Sequence, residues 1–379
     1  MCVNSKRIIK KIADTVTKDR YSLIVCRWYI TRFAPPCRGG GGKRGSIAIV
    51  GAGPAGLAAA GYLACEGFEV DIYDKLPYAG GMMMFAIPSH RIDPDSIIDG
   101  VEDLENRLSV RFYFNTKVFA KGLKRHDKGD DLVKNFVDLE DIADRYKAVL
   151  IATGTWGSRR LGVEGEDSKN VFSALEYLYR WKLYEMGFIS EKPPTGSKVI
   201  VIGAGLSAVD AAEKALETGA EVYMVYRRTA SEAPAGIQAI NSVIRKGVKW
   251  IELLQPTKII SKNGFAIGVE FTKTRLGEPD KSGRPRPIPI PGSEIVMEAD
   301  LIILAVGEIP TPPFTRHYTL ISFDRSSCRI IVNEHHQTSK ENVFAAGDVV
   351  TGPSLIGNAY GSGLRAGRSI SNYLSRGKL

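Results

Sequence analysis

The chain of 379 residues is expected to form two α/β domains of similar design, each a parallel sheet with helices on both faces. Its length fits two domains of roughly 150 residues each. A β-rich segment, a glycine-rich turn and a helix-forming segment occur in this order twice. The composition, 44% apolar and 25% charged, excludes a disordered or collagen-like chain. No apolar run reaches the roughly 20 residues of a transmembrane helix.

The basic arm, residues 1–45, carries the whole charge surplus of the chain. Positions 1–46 contain eleven Lys and Arg residues and two acids, and this excess equals the formal net charge of +9. The spacing of apolar residues predicts a helix at 7–16, and residues 21–33 fit a second short helix or a covering strand. The glycines at 39–42 predict a flexible joint to the rest of the chain.

The charge and the cysteine content limit which partners and which cellular compartment we expect. A basic arm can bind nucleic acid, an anionic membrane or an acidic protein, or it can be a solvated extension. We expect no nucleic-acid partner, because no nucleic-acid-binding motif follows the arm. The five cysteines include no Cys-x-x-Cys pair, and their odd number argues against a disulfide framework. Residues 22–34 are partly apolar but lack the cleavage site of a signal peptide, so we expect a cytoplasmic protein.

The first βαβ unit starts at the end of the arm. Residues 46–50 predict a strand, 57–66 a helix and 69–73 a second strand. The turn GAGPAG at 51–56 has three glycines: the first makes a tight bend, the second lets a pyrophosphate approach, and the third allows helix and strand to pack closely. The helix start offers free N–H groups to phosphates. Asp74, at the end of the second strand, can accept hydrogen bonds from ribose hydroxyls.

The same pattern recurs 152 residues later. The second turn reads GAGLSA at 203–208, with alanine in place of the third glycine. The position that corresponds to Asp74 is Tyr226, and Arg227 and Arg228 follow it. Guanidinium groups bind a 2′-phosphate, which a carboxylate would repel. The first site therefore favours a free 2′-hydroxyl and the second favours NADPH, which together indicate FAD and NADPH. The alternative for the two arginines is a pair of surface charges.

Further strands complete both domains. Each unit ends in a hydrophobic run closed by a glycine, at 148–154 and at 301–307. Another strand, which starts at residue 343, ends in Gly347-Asp348, and a helix is expected at 354–373. An aspartate in this place can hydrogen-bond a flavin ribitol, and the helix start can stabilise the anionic reduced flavin. This segment assigns the flavin to the first site.

The order of these segments predicts an FAD-binding domain interrupted by an inserted NADP-binding domain. Both are expected to be Rossmann-like and three-layered. The FAD-binding domain is expected at 46–157 and 308–379, the NADP-binding domain at 158–307, and the basic arm at 1–45.

Seven segments carry a family resemblance: IAIVGAGPAGLAAA (47–60), YDKLPYAGGMMMFAIPSHRID (73–93), VLIATG (149–154), VIVIGAGLSAVDAA (199–212), VYRRT (225–229), GRPRPIPIPGSE (283–294) and VFAAGDVVTGPSL (343–355). With them the chain resembles, over about residues 20–379, the small-subunit family of NADPH-dependent glutamate synthase. That family includes related flavin subunits of ferredoxin:NADP reductases and dihydropyrimidine dehydrogenase. The 73–93 segment is the most specific to the family.

The resemblance implies an oxidoreductase in which NADPH passes a hydride to FAD. The cofactors then carry the chemistry, so no catalytic side chain is expected. The residues expected to bind FAD are Gly51, Gly53, Pro54, Ala55, Gly56, Asp74, Lys75, Gly80, Gly81, Met82, Arg91, Ile92, Ala152, Thr153, Gly154, Gly347, Asp348, Ser354 and Leu355. The residues expected to bind NADP are Gly203, Gly205, Leu206, Ser207, Ala208, Arg227, Arg228, Ala305 and Gly307.

The N-terminus departs from the family, whose full-length members carry there a cysteine-rich domain with two iron–sulfur clusters. A cluster needs about four thiolates at close spacing. Only Cys2, Cys26 and Cys37 precede the flavin domain. Two clusters are excluded in this segment, and one would need a fourth ligand such as Cys65, a histidine or another chain. We therefore expect no iron–sulfur cluster or other metal here, and a truncated helix that packs on the FAD domain.

The electrons are expected to pass to a separate protein, because the chain has no Cys-x-x-Cys dithiol of its own. A glutamate synthase catalytic subunit, a ferredoxin or another iron–sulfur protein fits this role. The alternative is a flavin-bearing wiring subunit of a heterodisulfide-reductase-like iron–sulfur complex, with a weak or vestigial nicotinamide site. The intact second turn favours the first function. Both a homodimer and a hetero-oligomer are compatible with the sequence.

Overall fold

A computed structural model describes residues 33–35, 37, 44–122, 125–280 and 283–376. The helix predicted at 7–16 and the glycine joint at 39–42 lie outside these residues. Of the second predicted segment, 21–33, only residue 33 is described. The chain divides into two compact units. The first unit comprises the chain up to Gly157 together with Glu308–Leu379, and the second unit is the continuous segment Ser158–Gly307.

The first unit begins with a strand, a helix and a strand in close succession. The strands up to the unit boundary are β1 (Ser46–Val50), β2 (Glu69–Tyr73), β3 (Arg111–Tyr113), β4 (Thr116–Phe119), β5 (Asn135–Asp138), β6 (Ala148–Ile151) and β7 (Gly157–Ser158). The helices are α1 (Pro54–Cys65), α2 (Met82–Phe85), α3 (Pro94–Leu108) and α4 (Leu139–Arg145), with a 3₁₀ turn at Asp130–Leu132. Helix α1 starts three residues earlier than predicted, because the fixed φ of Pro54 suits the first helical position.

The second unit adds an antiparallel sheet to its parallel one. Its strands are β8 (Val171–Ser173), β9 (Lys198–Ile202), β10 (Glu221–Val225), β11 (Lys249–Ile251), β12 (Leu254–Lys262), β13 (Phe265–Pro279), β14 (Pro285–Glu298) and β15 (Leu301–Leu304). Its helices are α5 (Ala174–Glu185), α6 (Leu206–Glu217) and α7 (Ile237–Arg245), with a 3₁₀ turn at Ala230–Glu232. Strands β12, β13 and β14 form the antiparallel sheet.

The chain then returns to the first unit and completes it. The remaining elements are β16 (Glu308–Ile309), β17 (Phe323–Asp324), β18 (Arg329–Ile330), β19 (Val343–Ala345), α8 (Asp348–Thr351) and α9 (Ile356–Arg376). The helix predicted at 354–373 is observed as α9. It starts later than predicted because the carboxylate of Asp348 binds the hydroxyl and the N–H of Ser354.

The parallel sheets of the two units share one strand order. Among the described residues they read β3-β2-β1-β6-β19 and β11-β10-β9-β15-β8. All of these neighbours pair in parallel. The chain changes direction across the sheet between β1 and β6 and between β9 and β15, the place where open α/β sheets bind ligands. The predicted α/β fold with two Rossmann-like sheets is confirmed.

The core of the first unit lies on both faces of its sheet. Ile47, Ala48 and Ile49 of β1 are fully buried, as expected for a parallel strand covered by helices on both sides. Helix α9 packs on α1 at close range, since a Cβ on Gly363 would lie 2.0 Å from the carbonyl oxygen of Ala55. Within the described ranges, no helix combines the length and the apolar character that crossing a membrane requires.

A short segment before β1 is fastened to helix α1. Phe33 and Ala34 are buried, and a Cβ on Gly61 would lie 2.1 Å from the carbonyl oxygen of Phe33. Cys37 forms a disulfide with Cys65, the last residue of α1. The expectation that the cysteines form no disulfide framework is wrong at this pair. An odd count of cysteines does not prevent two of them from meeting when packing brings together residues 28 positions apart.

Candidate functional site

The first glycine turn lies at the carboxyl end of β1, next to β6. Gly51 has a φ of 109°, and a Cβ on it would lie 2.4 Å from the carbonyl oxygen of Ala152. A Cβ on Gly56 would lie 2.0 Å from the carbonyl oxygen of Gly51. A Cβ on Gly53, by contrast, would meet nothing within 4 Å. The turn is therefore packed at its first and third glycines and open at the second, where a pyrophosphate would approach.

Asp74 joins this turn to the end of β2. Its Oδ2 accepts the N–H of Ala52 at 2.6 Å, and its Oδ1 accepts the N–H of Leu76 at 2.8 Å. Burial raises the pKa of Asp74, although the two N–H groups act in the opposite direction. The backbone thus fixes this carboxylate in the wall of the cleft described next.

An open cleft of about 710 Å³ runs past the turn. Its size suits a large part of a dinucleotide. The predicted FAD residues that line it are Gly51, Gly53, Pro54, Ala55, Asp74, Gly81, Met82, Ala152, Thr153, Gly154, Gly347, Asp348, Ser354 and Leu355. Fold and packing therefore bring together residues from four separate segments of the chain.

Further residues line the cleft that were not predicted. They are Met83, Ile87, Thr155, Trp156, Ile356 and Ala359. Met83 and Ile87 belong to the family-specific segment at 73–93, which could have pointed to them. Trp156 follows the VLIATG segment by two residues, and no motif marks it.

Five predicted FAD residues do not line the cleft: Gly56, Gly80, Arg91 and Ile92, and Lys75, which lines the second cavity described below. Gly56 lies beneath the turn, where it lets helix and strand pack. Gly80 supports the turn through its N–H, which donates to a turn carbonyl at 2.8 Å. Arg91 and Ile92 belong to a bend in which their N–H groups donate to the carbonyl of Pro88 at 3.0 and 3.3 Å.

Gly347 and Asp348 follow β19 and face the start of α1. Gly347 has a φ of 74°, and a Cβ on it would lie 2.8 Å from the Cβ of Ala55. The carboxylate of Asp348 accepts the hydroxyl of Ser354 at 2.7 Å and its N–H at 3.3 Å. Burial raises the pKa of Asp348, and the hydrogen bonds from Ser354 oppose this effect. A carboxylate held in this way can accept a further hydrogen bond from a ligand hydroxyl.

A second cavity of about 450 Å³ adjoins the cleft and shares its wall at the first turn. Lys75 lines this cavity rather than the cleft. Its ammonium lies 5.3 Å from the ring centroid of Trp156 and 3.5 Å from a carboxylate oxygen of Asp130. Burial lowers the pKa of Lys75, while the carboxylates of Asp127 and Asp130 act against this.

Lys117 and Arg125 extend the charged wall of the second cavity. Lys117 pairs with Asp127 at 3.3 Å and with Asp130, and Arg125 pairs with Asp127 at 2.7 Å. Arg125 also donates to the carbonyl of Pro312 at 2.7 Å. No sequence motif pointed to this cluster, because its members meet only through long-range packing.

The second glycine turn repeats the geometry of the first. Gly203 has a φ of 137°, and a Cβ on it would lie 2.2 Å from the carbonyl oxygen of Ala305. A Cβ on Gly205 would meet nothing within 4 Å. The predicted NADP residues that surround this turn at the carboxyl ends of β9 and β15 are Gly203, Gly205, Leu206, Ser207, Ala208, Ala305 and Gly307. Ala208 is fully buried in the place of the third glycine.

The two arginines after β10 differ in burial. Arg227 is exposed, whereas only 2% of Arg228 is exposed. The Nη2 of Arg228 donates to Asp280 at 2.6 Å, and its Nε donates to the carbonyl of Pro285 at 2.6 Å. Desolvation and the neighbouring charge of Arg228 lower the pKa of Arg227. The structure therefore leaves Arg227 at the surface and engages Arg228 with the β13–β14 hairpin.

Two of the cysteines considered as cluster ligands are paired with each other. Cys37 is bonded to Cys65, so neither offers a thiolate to iron while this disulfide is present. Cys2 and Cys26 lie outside the described residues. Among those that are described, no group of three or more His, Cys, Asp or Glu residues could hold a metal ion.

The chain is similar to several redox proteins. The pyridine nucleotide-disulphide oxidoreductase family matches residues 45–363. The NADP(+)-dependent formate dehydrogenase subunit beta of Moorella thermoacetica is 35% identical over 334 residues, which cover 87% of this chain and 44% of that protein. A putative glutamate synthase (NADPH) small chain of Cereibacter sphaeroides is 34% identical over 346 residues, 87% of this chain and 77% of that protein. The chain spans 44–52% of the length of four of its relatives.

A solved structure shows the same fold. FprA, an oxidoreductase of Mycobacterium tuberculosis studied with a covalently modified NADP+, matches with a TM-score of 0.70 at 21% identity, over 87% of this chain and 84% of that one. The family match confirms the predicted oxidoreductase that uses a pyridine nucleotide. The chain belongs to the pyridine nucleotide-disulphide oxidoreductase family and, within it, to the family of proteins that resemble the glutamate synthase (NADPH) small chain.

Proposed function

We propose that this chain is an electron-transfer subunit that binds FAD at the first glycine turn and NADPH at the second. It receives a hydride equivalent from NADPH and delivers electrons to a partner protein. The partner is a glutamate synthase catalytic subunit, a ferredoxin or another iron–sulfur protein.

The matching open spaces above Gly53 and Gly205 carry this proposal. A Cβ on either residue would enter space that no atom of the described residues beyond its chain neighbours occupies within 4 Å, whereas a Cβ on Gly51, Gly56 or Gly203 would lie 2.0–2.4 Å from a backbone carbonyl oxygen. Each space lies at the start of a helix and at the switch point of a parallel sheet. Two such spaces, one in each unit, suit two separate dinucleotides.

In this proposal the residues of the protein bind the flavin dinucleotide and orient it. The first N–H groups of α1 and its positive dipole end favour a pyrophosphate at Gly53. Asp74 and Asp348, both held by hydrogen bonds from the protein, offer acceptors for ribose and ribitol hydroxyls. FAD supplies the redox chemistry when bound, since it accepts a hydride and releases electrons.

The relatives support a delivery subunit rather than one particular acceptor. One is named for formate dehydrogenase and another for glutamate synthase, and both names include the coenzyme NADP or NADPH. The redox partner therefore varies among similar chains, whereas the pyridine nucleotide is shared.

Anaerobic titration of the purified, flavin-loaded chain with NADPH tests the proposal. We expect the visible flavin absorbance to fall at about one NADPH per flavin, and NADH to be less effective. Dithionite serves as the control, because it reduces a bound flavin without a coenzyme site. A chain that takes up no flavin would contradict the FAD assignment. A flavin reduced by dithionite but not by NADPH would contradict the NADPH assignment and would favour a wiring subunit.

A further inference from the structure

The β13–β14 hairpin turns back onto the arginines that follow β10. The N–H of Asp280 donates to the carbonyl of Arg284 at 2.8 Å, which closes the described ends of the hairpin tip. Thr274 of β13 donates its hydroxyl to the carbonyl of Arg227 at 2.9 Å. The hairpin tip is therefore closed by its own backbone, and β13 is bonded to the arginine segment at Thr274.

Arg228 forms hydrogen bonds with both ends of the hairpin tip, Asp280 and Pro285. Its guanidinium donates to the carboxylate of Asp280 on one side and to the carbonyl of Pro285 on the other, each at 2.6 Å. Only 2% of the residue is exposed. Hydrogen bonds between ionised groups are among the strongest in proteins, and a buried guanidinium engaged in this way is directed away from solvent.

Arg284 is held in place by the same bonds. It directly precedes Pro285, and its own carbonyl accepts the N–H of Asp280. Desolvation and the charges of Arg228 and Arg284 lower the pKa of Arg227, so both of these guanidinium groups lie within electrostatic range of Arg227. Of these three arginines, Arg228 is buried against Asp280, which leaves exposed Arg227 and half-buried Arg284 within reach of an anion.

We propose that Arg284 binds the 2′-phosphate of NADPH together with Arg227, and that Arg228 is a positioning residue that holds the hairpin tip. This inference rests on the proposed binding of NADPH at the second turn. A residue 57 positions beyond Arg227 thereby contributes to the choice of coenzyme. The pair of phosphate ligands becomes Arg227 and Arg284 in place of the neighbouring Arg227 and Arg228.

Calorimetric binding of NADP+ and of NAD+ to the flavin-loaded protein tests the first part. For Arg284→Gln we expect the dissociation constant of NADP+ to rise about tenfold while that of NAD+ stays unchanged, and Arg227→Gln should behave alike. Arg245→Gln is the control, since exposed Arg245 ends α7 before the start of β11, whereas Arg227 follows the end of the neighbouring strand β10. An Arg284→Gln protein with unchanged NADP+ affinity would overturn the inference.

A double-mutant cycle tests the positioning role. Arg228→Gln should weaken NADP+ binding in the wild-type background but add no further loss to Arg284→Gln, because Arg228 acts through the tip. Arg228→Lys, which keeps the charge, replaces it in the cycle if the Gln variant does not fold. Additive losses would refute the positioning role, since they mean direct contact of Arg228 with the phosphate. A wild-type protein without preference for NADP+ over NAD+ would refute the NADPH function itself, whereas an undiminished preference in Arg284→Gln would refute only this inference.

Discussion

Gly53 and Gly205 differ from the first glycines of their turns in backbone conformation and in the space around them. Gly51 and Gly203 have positive φ angles and no room for a side chain, so the fold itself requires them. The φ angles of Gly53 and Gly205, −78° and −83°, are accessible to any residue. Protein packing therefore leaves these two positions free, and a ligand close to the backbone explains the absence of a side chain there.

Replacing Gly53 with alanine separates ligand binding from folding. We expect Gly53→Ala to fold with an unchanged melting temperature in the absence of flavin, because its methyl group meets no protein atom. The methyl group would occupy the place of a pyrophosphate, so FAD affinity should fall about tenfold, roughly 1.4 kcal/mol. The flavin-to-protein ratio after purification and a thermal melt of the apoprotein measure both effects.

Two matched glycines serve as controls for this variant. Gly205→Ala should keep its FAD and lose NADP+ affinity, because the same open space lies in the other unit. Gly56→Ala should lower the melting temperature, since its Cβ would lie 2.0 Å from the carbonyl oxygen of Gly51. Full FAD occupancy in Gly53→Ala would speak against a pyrophosphate at this turn.

Helix α5 of the second unit contains a buried ammonium group. Lys182 is 5% exposed, and burial lowers its pKa to about 8, although the charge of Glu185 opposes this. Its neighbour in space Lys214 pairs instead with Glu185 at 2.6 Å and with Glu217 at 2.5 Å. Burial thus disfavours the charged form of Lys182, whereas Lys214 is held by two carboxylates.

The lowered pKa of Lys182 sets the sign of a pH effect. As pH falls from the ordinary value of 10.5, the unfolded chain binds the proton first, and the folded chain binds it only near pH 8. The free energy of unfolding should therefore decrease between about pH 10.5 and 8 and show no further change from this group below pH 8. Lys182→Met should stabilise the protein at pH 7 by about 2–3 kcal/mol and flatten this slope.

Urea unfolding at pH 7 and at pH 10 measures the effect of Lys182→Met. The gain in stability should be large at pH 7 and small at pH 10, where Lys182 is neutral in the folded protein. Lys214→Met is the matched control and should stabilise at neither pH, because it removes two ion pairs. An equal gain at both pH values would show that packing, and not charge, explains the change.

A short junction, residues 33–37, connects the basic arm to helix α1 of the first unit. Phe33 and Ala34 pack on α1, the helix whose first turn faces the cleft, and the Cys37–Cys65 disulfide ends the same helix. Six of the nine surplus charges precede this junction, because residues 1–32 contain eight Lys and Arg residues and two acids, whereas Arg38, Lys43 and Arg44 follow it. Two truncations can therefore separate the electrostatic role of the arm from its packing role.

Deletion of residues 1–32 should leave FAD content and NADPH-to-dye activity intact, because both glycine turns and the Phe33–Cys37 contacts remain. It should slow electron transfer to an acidic ferredoxin, since a basic arm would attract such a partner over long range. The rate of electron transfer by the full chain should also fall as salt is added, because the Debye screening length is only about 10 Å at 0.1 M ionic strength. Stopped-flow reduction of the ferredoxin at two salt concentrations measures this, with the dye as the uncharged comparison.

Deletion of residues 1–38 provides the contrast. It removes buried Phe33 and the disulfide, which closes a loop of 28 positions. Each contributes roughly 2–3 kcal/mol, so the melting temperature should fall and FAD should be held less tightly. Equal ferredoxin rates for the full chain and the 1–32 deletion at low salt would show that the charges of residues 1–32 do not steer a partner.

The local parts of the fold could be predicted from the sequence. Strands β1 and β2 begin and end where they were predicted, and the two turns have the geometry that their glycines require. Such features depend on neighbours within a few positions, namely alternating apolar residues, a proline at the helix start and glycines that leave no room for a Cβ. The repeat after 152 residues then implied two similar sheets.

Tertiary packing determined the features that join distant segments. Cys37 meets Cys65, Lys117 meets Asp127 and Asp130, and Arg228 is buried by a hairpin tip more than fifty residues away. Sequence reasoning treated Arg227 and Arg228 as equivalent because both follow the same strand. Only the position of Asp280 and Pro285 distinguishes them, because burial and hydrogen-bond partners are properties of the folded chain and not of adjacent residues.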